Sequence, residues 1–147
     1  MASRSSDGTI LSVLTVILFL VLLSVLILVH ELGHFIAARK LGVVAEEFGL
    51  GLPPKIKRLF MWKGTEFSLN WLPIGGFVRM KGEDRQATSD EPLATSQTGF
   101  FYAQDPWKRA TILLAGVAMN FALGVVAFTV VYQVIGIPTK TEEVVIE

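Results

Sequence analysis

The chain has 147 residues, of which 52% are hydrophobic and 18% charged, and its 13 basic and 13 acidic residues leave no net charge. This composition is too apolar for an ordinary soluble domain of this length. The balanced charge points away from a nucleic-acid partner, and the absence of cysteine excludes disulfides and thiolate metal sites.

The first element is a long apolar run from Ile10 to Val29, twenty residues without a charge. At 1.5 Å per residue the run reaches roughly 30 Å, the thickness of a bilayer core. We therefore predict a transmembrane helix over residues 10–40, after an extracytoplasmic tail of residues 1–9. A cleaved signal peptide is the alternative, but the run is longer than the usual apolar core of about 7 to 15 residues.

The last part of this helix carries His30, Glu31 and His34, which fit H-E-x-x-H and include both histidines of the chain. Two histidines four residues apart project from one helical face and can reach a single Zn2+. Glu31 is placed to accept a proton from the water that attacks a peptide carbonyl. The pattern therefore predicts hydrolytic zinc chemistry, with His30 and His34 as ligands and Glu31 as the base.

The alternative to catalysis is that these groups only mark the end of the helix at the membrane interface. Polar groups inside a span cost about 2.5 to 3.5 kcal/mol each near its centre, which favours a functional role. Gly33 and Ala37 add two small residues four positions apart, which allow another helix or a substrate backbone to come close. Glu46 and Glu47 follow the helix, and we expect both to face water.

Between residues 43 and 82 the pattern changes from helical to β. Thr65 to Leu72 alternates between polar and apolar residues, which is typical of a half-buried strand. KIKRLFMW before it and GGFVRM after it are predicted to be its neighbours, joined through turns at Lys63-Gly64 and Pro73-Ile74-Gly75. The polar residues 83–99 that follow predict a mobile loop.

Residues 100–109 form an interfacial segment with several aromatic rings, in which Asp105 and Pro106 are typical of a helix start. An uncharged run over residues 110–137 predicts a second transmembrane helix, and we expect Asn120 on it to make a helix-to-helix hydrogen bond. Eleven of the basic residues lie between the two spans. By the positive-inside rule this middle segment is cytoplasmic and both termini are extracytoplasmic.

The predicted fold class is therefore a mainly α-helical membrane protein, with two transmembrane helices and a β-rich re-entrant or cytoplasmic segment between them. Four stretches occur in a characteristic order: HELGHFIAARKLG, FGLG, PIGGFVRMKGE and PWKRATILLAGVAMNF. Together they resemble the site-2 protease family, in particular its bacterial regulator-of-sigma-E protease type. Members of that family are intramembrane zinc metalloproteases.

The resemblance implies roles for individual residues. His30 and His34 would be zinc ligands and Glu31 the general base. The β segment would re-enter the membrane, and its G-x-G motif would correspond to the substrate-binding residues Gly49, Leu50 and Gly51. An extended substrate could add there as a further strand, which would satisfy its backbone hydrogen bonds in lipid. Asn120 matches the family's A-G-P-x-x-N pattern, with a valine in place of the proline.

One zinc ligand is missing, because a catalytic zinc normally has three protein ligands and H-E-x-x-H provides two. In the family the third is an aspartate in an L-D-G motif, which this chain lacks. Asp7-Gly8 is the nearest imitation, but 23 residues of helix would place Asp7 about 34 Å from His30. We therefore expect an N-terminal portion of a larger protease, inactive alone, with residues 138–147 beginning a PDZ-like domain outside the membrane.

The expected function is zinc-dependent cleavage of transmembrane segments in the bacterial cytoplasmic membrane. The lipid bilayer, the remaining C-terminal part of the protease and a single-pass substrate are the expected partners. By resemblance, that substrate is an anti-sigma factor or a signal-peptide remnant. Two alternatives stay open: a two-span binding or scaffold protein that has lost catalysis, and a secreted zinc hydrolase whose first span is removed.

Overall fold

The computed structural model describes residues 3–83 and 98–136, with side chains from Thr9 onward. It contains two helices and two strands: α1 Ser3–Lys40, β1 Ala45–Trp62, β2 Thr65–Met80 and α2 Pro106–Ile135. The predicted mobile loop falls largely on residues 84–97, which lie outside the described residues. The predicted start of an outer domain, residues 138–147, lies wholly outside them.

Both helices are long and apolar enough to cross a membrane. Helix α1 begins at Ser3, earlier than the predicted Ile10, and ends at Lys40 as expected. Most of its apolar side chains face outward, and Leu11, for example, is 66% exposed. Exposure of this much apolar surface to water is unfavourable, whereas its exposure to lipid is favourable. The two helices of the predicted fold class are therefore present, with a small sheet between them.

Helix α2 begins where Asp105 and Pro106 predicted, at Pro106, and ends before Gly136. The main-chain oxygen of Asp105 accepts the N–H of Arg109 at 3.1 Å, although the Asp105 side chain makes no capping hydrogen bond. Pro106 suits the first helical position because its missing N–H would have no intrahelical partner there. The helix then packs against the second half of α1.

The contact between the helices depends on Gly33. A Cβ added there would collide with the main-chain oxygen of Ala115 and lie 2.8 Å from Cγ of Met119. The absence of a side chain at Gly33 therefore lets the two helix backbones approach closely, as small residues do in membrane proteins. The small residues Gly33 and Ala37 predicted a close approach of another helix, and this approach occurs at Gly33.

Strands β1 and β2 form an antiparallel two-stranded sheet. The predicted turn at Lys63-Gly64 connects them, and both residues adopt positive φ, 48° and 84°. Beside the turn, the rings of Phe60 and Phe67 stack with centroids 4.6 Å apart. The predicted pairing of KIKRLFMW with the strand that begins at Thr65 is confirmed, because Trp62 pairs with Thr65 and Phe60 with Phe67.

The prediction for GGFVRM was wrong in its partner. Phe48 of β1 pairs with both Phe67 and Val78, so the first part of β1 lies between the two halves of β2. GGFVRM therefore pairs with β1 and not with the strand before it. The predicted turn at Pro73-Ile74-Gly75 is likewise part of β2, and Gly75 with a φ of 66° allows the strand to bend there.

The buried core lies at the junction of these four elements. It contains Phe35, Ala38, Val43, Ala45, Phe48, Val78, Met80 and Ile112. Because this set draws on the last turns of α1, both strands and the first turns of α2, it fixes the strands against the end of α1 that carries the histidines.

Candidate metal centre

The two histidines converge on one point of the opposite helix. The rings of His30 and His34 lie edge to face, with centroids 4.6 Å apart. A Cβ added at Gly116 of α2 would lie 2.7 Å from Nε2 of His30 and 2.6 Å from Nε2 of His34. The helical spacing predicted that the two rings share a face, and α2 supplies the empty space between their nitrogens.

His34 is oriented by α2 as well. Its Nδ1 lies 2.8 Å from the main-chain oxygen of Ile112. With the proton on Nδ1, this ring donates to the carbonyl and leaves the Nε2 lone pair free. Metal-binding histidines commonly have such a second partner, because it fixes both the tautomer and the ring orientation.

This arrangement fits a zinc ion as far as the described residues reach. Zinc binds imidazole nitrogens at about 2.0 to 2.1 Å. The glycine at position 116 leaves the space beside both Nε2 atoms that a methyl group would otherwise fill. Residues 3–83 and 98–136 contain no group of three or more histidine, cysteine, aspartate or glutamate side chains that could hold a metal. The side chain of Asp7, the nearest imitation of the missing motif, lies outside the described residues.

Glu31 lies beside His30 on α1, and its carboxylate reaches the sheet. Its Oε2 accepts a hydrogen bond from the main-chain N–H of Val78 at 3.1 Å. A carboxylate held by a backbone donor keeps a defined position, since a strand moves less than a flexible side chain. The structure thus brings Glu31 to the backbone of β2, a contact that the sequence motif did not indicate.

Asn120 lies one turn beyond Gly116 on the same face of α2. Its Oδ1 is buried and accepts no hydrogen bond from the residues that the structure describes. The helix-to-helix hydrogen bond predicted for this side chain is therefore absent from the described part of the chain. A buried amide oxygen without a donor costs free energy, and Asn120 bears this cost one helical turn from Gly116.

The expectation that both glutamates after α1 face water was wrong for one of them. Glu46 is exposed, but Glu47 is only 4% exposed. Successive side chains of a strand point to opposite faces, and β1 begins before this pair, so the two carboxylates separate. The prediction treated the two glutamates alike and did not assign them to opposite faces of a strand, which is why it missed Glu47.

Glu47 is held by three side chains from the sheet. Its carboxylate lies 2.7 Å from Nζ of Lys55 and 3.1 Å from Nη1 of Arg79, and it accepts a 2.6 Å hydrogen bond from Ser68. Burial alone would raise the pKa of Glu47, but the hydrogen bonds from Lys55 and Ser68 and the two positive charges lower it below its ordinary value. The ion pair of Glu47 with Arg79 connects the two strands, and the one with Lys55 joins two parts of β1. Among the described residues, Glu47 belongs to no group of side chains that could hold a metal.

The predicted substrate-binding residues Gly49, Leu50 and Gly51 lie within β1. A Cβ at Gly49 would collide with the ring of Phe77, and one at Gly51, whose φ is 81°, would collide with the main-chain oxygen of Leu72. Gly49 and Leu50 have backbone partners in both halves of β2. Both glycines are thus required by the packing of the sheet, and a role in substrate binding stays a prediction.

Comparisons with known proteins identify relatives of the chain. The model of peptidase family M50 matches residues 18–145. A protein of Vibrio cholerae serotype O1 is 37% identical over 83% of this chain and 26% of its own length. One of Thermotoga maritima is 40% identical over 78% of this chain and 22% of its own length.

A third relative, from Clostridium acetobutylicum, is 37% identical over 89% of this chain and 36% of its own length. All three carry the name of zinc metalloproteases, a name assigned by inference. The chain thus spans between about a fifth and about a third of the length of the curated relatives described here.

Proposed function

Because this chain belongs to peptidase family M50, we propose that it is the N-terminal part of a zinc-dependent endopeptidase that cleaves transmembrane segments of membrane proteins. The observation that carries the proposal is the convergence of both histidine Nε2 atoms at Gly116, with Glu31 next to them on α1. Apolar helices surround this cluster of ionisable groups, which is costly in a membrane unless the groups have a function.

The roles of the side chains follow from their positions. A zinc ion, when bound, supplies a Lewis acid and lowers the pKa of water towards about 7. His30 and His34 would hold it through their Nε2 atoms, and the carbonyl of Ile112 keeps the ring of His34 in place. Glu31 accepts the proton of the attacking water and passes it to the leaving amine.

A third ligand completes the site in this proposal. Since the relatives are several times longer than the region they share with this chain, we assign that ligand, an aspartate, to the remaining C-terminal part of the protease. Two imidazoles alone leave the metal weakly held. The chain by itself is therefore expected to hydrolyse no transmembrane peptide.

The substrate must present an extended backbone, because a helix hides its peptide bonds. The N–H of Val78 in β2 is directed at Glu31, so this edge of the sheet lies beside the general base. We place an added substrate strand along this edge, where it would take over the N–H of Val78 and leave Glu31 free for proton transfer. Gly49 and Leu50 pair with Phe77 and Gly76 and so place β1 beside this part of β2, whereas Gly51 lies against Leu72.

The proposed setting is the bacterial cytoplasmic membrane, with both ends of this chain on the outer side. Single-pass membrane proteins are the proposed substrate class, and an anti-sigma factor or the remnant of a signal peptide would meet its requirements. Cleavage of such a segment near the inner face would release a soluble fragment. This is the chemistry of regulated intramembrane proteolysis.

The test uses the longer protease that contains this chain, reconstituted with a transmembrane peptide. Glu31→Gln should abolish cleavage by removing the base while zinc content stays unchanged, because the amide keeps the size of the side chain. Glu46→Gln, which removes an exposed carboxylate at the start of β1, should leave cleavage unchanged. Cleavage that persists in Glu31→Gln refutes the proposed role.

The other candidate function, a binding or scaffold protein without catalysis, gains support from the absence of a third ligand in the described residues. The same experiment separates the two. A scaffold would hold no zinc and would not cleave in any variant. Turnover by the 147-residue chain alone, lost in Glu31→Gln, would show instead that the third ligand lies within it.

A further inference from the structure

A small pocket lies apart from the metal centre, where the end of α1 meets the turn between β1 and β2. Its volume is about 190 Å3, and it is lined by Arg39, residues 42–45, Lys63 and Thr65. No carboxylate lines it. At about 30 Å3 per water molecule the pocket has room for several waters, and therefore for a phosphate-sized anion.

Two positive charges meet at this pocket on one aromatic ring. The guanidinium carbon of Arg39 lies 4.8 Å from the ring centroid of Trp62, and Nζ of Lys63 lies 5.3 Å from the same centroid. The ring stabilises each cation but neutralises neither. An anion that contacts both cations would make two charge-assisted hydrogen bonds.

Neither cation has a carboxylate partner in the described part of the chain, where the ion pairs involve Lys55, Arg79 and Lys108 instead. Arg39 uses Nη1 to donate to the main-chain oxygen of Lys63 at 3.3 Å and to Oγ1 of Thr65 at 3.2 Å. Its other N–H groups therefore stay available for an anion. A guanidinium that is held through one nitrogen can bind a phosphate group through its remaining N–H donors.

The position of Arg39 along α1 indicates where that anion comes from. The apolar span Thr9–Lys40 has 32 residues, and at 1.5 Å per residue its length of about 48 Å is slightly more than the thickness of a bilayer with its headgroups, about 40 to 45 Å. Arg39 in the last turn therefore lies at headgroup depth. Trp62 beside it is of the residue type that favours this depth.

We propose that Arg39 and Lys63 at this pocket bind a phosphate group, which a phospholipid headgroup or free phosphate supplies. A phosphate bound there contacts both the end of α1 and the turn of the hairpin. It thereby holds the sheet against the helix that carries the histidines. The proposal concerns lipid or phosphate binding and does not depend on proteolysis.

The test is native mass spectrometry of the purified chain in detergent, titrated with phosphatidylglycerol, whose single phosphate carries a negative charge. Wild type should form one saturable lipid adduct. Lys63→Gln should weaken its binding about fivefold, the effect expected for one basic residue near an anionic surface. Lys57→Gln removes an exposed cation of the same hairpin that does not line the pocket, and should change the binding by less than about twofold.

Inorganic phosphate, titrated in place of the lipid, distinguishes the two sources. Stabilisation of the wild-type chain by phosphate, lost in Lys63→Gln, assigns the site to free phosphate, and a lipid adduct without this stabilisation assigns it to headgroups. Equal weakening by Lys57→Gln and Lys63→Gln would overturn the proposal, because binding would then follow net charge. The absence of saturable binding with either probe would overturn it as well. Lys63→Gln is preferred to Arg39→Gln, since Arg39 also holds the turn through hydrogen bonds.

Discussion

Replacing Gly116 with alanine should separate metal binding from folding. The new Cβ would lie 2.6 Å and 2.7 Å from the two histidine Nε2 atoms, whereas ordinary contact begins at 3.4 Å. The rings must therefore retreat by about 0.7 to 0.8 Å, the difference between these distances. A zinc site tolerates deviations of only about 0.2 Å from ideal bond lengths.

The expected loss of Zn2+ affinity is about 10- to 100-fold, the range seen when the support of a metal ligand is removed. Folding should survive, because the atoms that must move are the far ends of flexible side chains and alanine is a better helix former than glycine. The measurement is competition for Zn2+ between a chromophoric chelator and the purified longer protease that contains this chain, with circular dichroism to confirm the helices.

Gly124→Ala is the matched control. It makes the same substitution on the same helix, but a Cβ there meets nothing within 4 Å. It should gain the same helix propensity and keep the affinity of the wild type. If Gly116→Ala binds zinc as tightly as Gly124→Ala while both remain folded, the metal does not lie between the histidines and α2.

Two further predictions concern the sheet. Because the pKa of Glu47 is lowered, its stabilising contribution is complete above the ordinary pKa of 4.5 and is lost as the pH falls through the lower pKa of the folded state. Glu47→Gln should therefore reduce the loss of melting temperature in acid, whereas Glu46→Gln should not. Equal acid sensitivity of the wild type and both variants would contradict the ion-pair assignment. Gly51→Ala should lower the free energy of unfolding by about 1 to 3 kcal/mol through backbone strain. The loss should exceed that of Gly64→Ala, because Gly64 has a similar φ but open space around it. A denaturant titration that found equal losses would show that the contact with Leu72 is unimportant.

The parts of the fold that follow from local pattern could be predicted. The apolar runs gave both helices, and the turn at Lys63-Gly64 followed from residue types that adopt positive φ. Strand partners could not be read in the same way, because alternation identifies a strand without naming its neighbour. GGFVRM was therefore assigned to the wrong strand, and the bend at Gly75 that carries it across β1 became visible only in the structure.

In the candidate site, too, the features set by local sequence could be predicted and the long-range contacts could not. H-E-x-x-H predicts a shared face for His30 and His34 because their spacing is local. The contacts with Ile112, Gly116 and Val78 join residues far apart in sequence, and no short pattern announces them. Glu47 was misjudged for the same reason, since the lysine and arginine that make its burial tolerable come from other parts of the sheet.

These long-range contacts assign different tasks to different elements. Helix α1 supplies the two nitrogens and the carboxylate, but α2 decides whether a metal fits between the rings, through the missing side chain of Gly116. The edge of β2 at Val78 then holds the carboxylate. In the proposed mechanism a substrate strand takes over this N–H, so a shift of the hairpin by about 1 Å would move the substrate relative to Glu31 and the histidines, and loss of position on this scale can cost about 100-fold in rate. For the proposed protease, the packing of the sheet against α1 therefore matters as much as the motif itself.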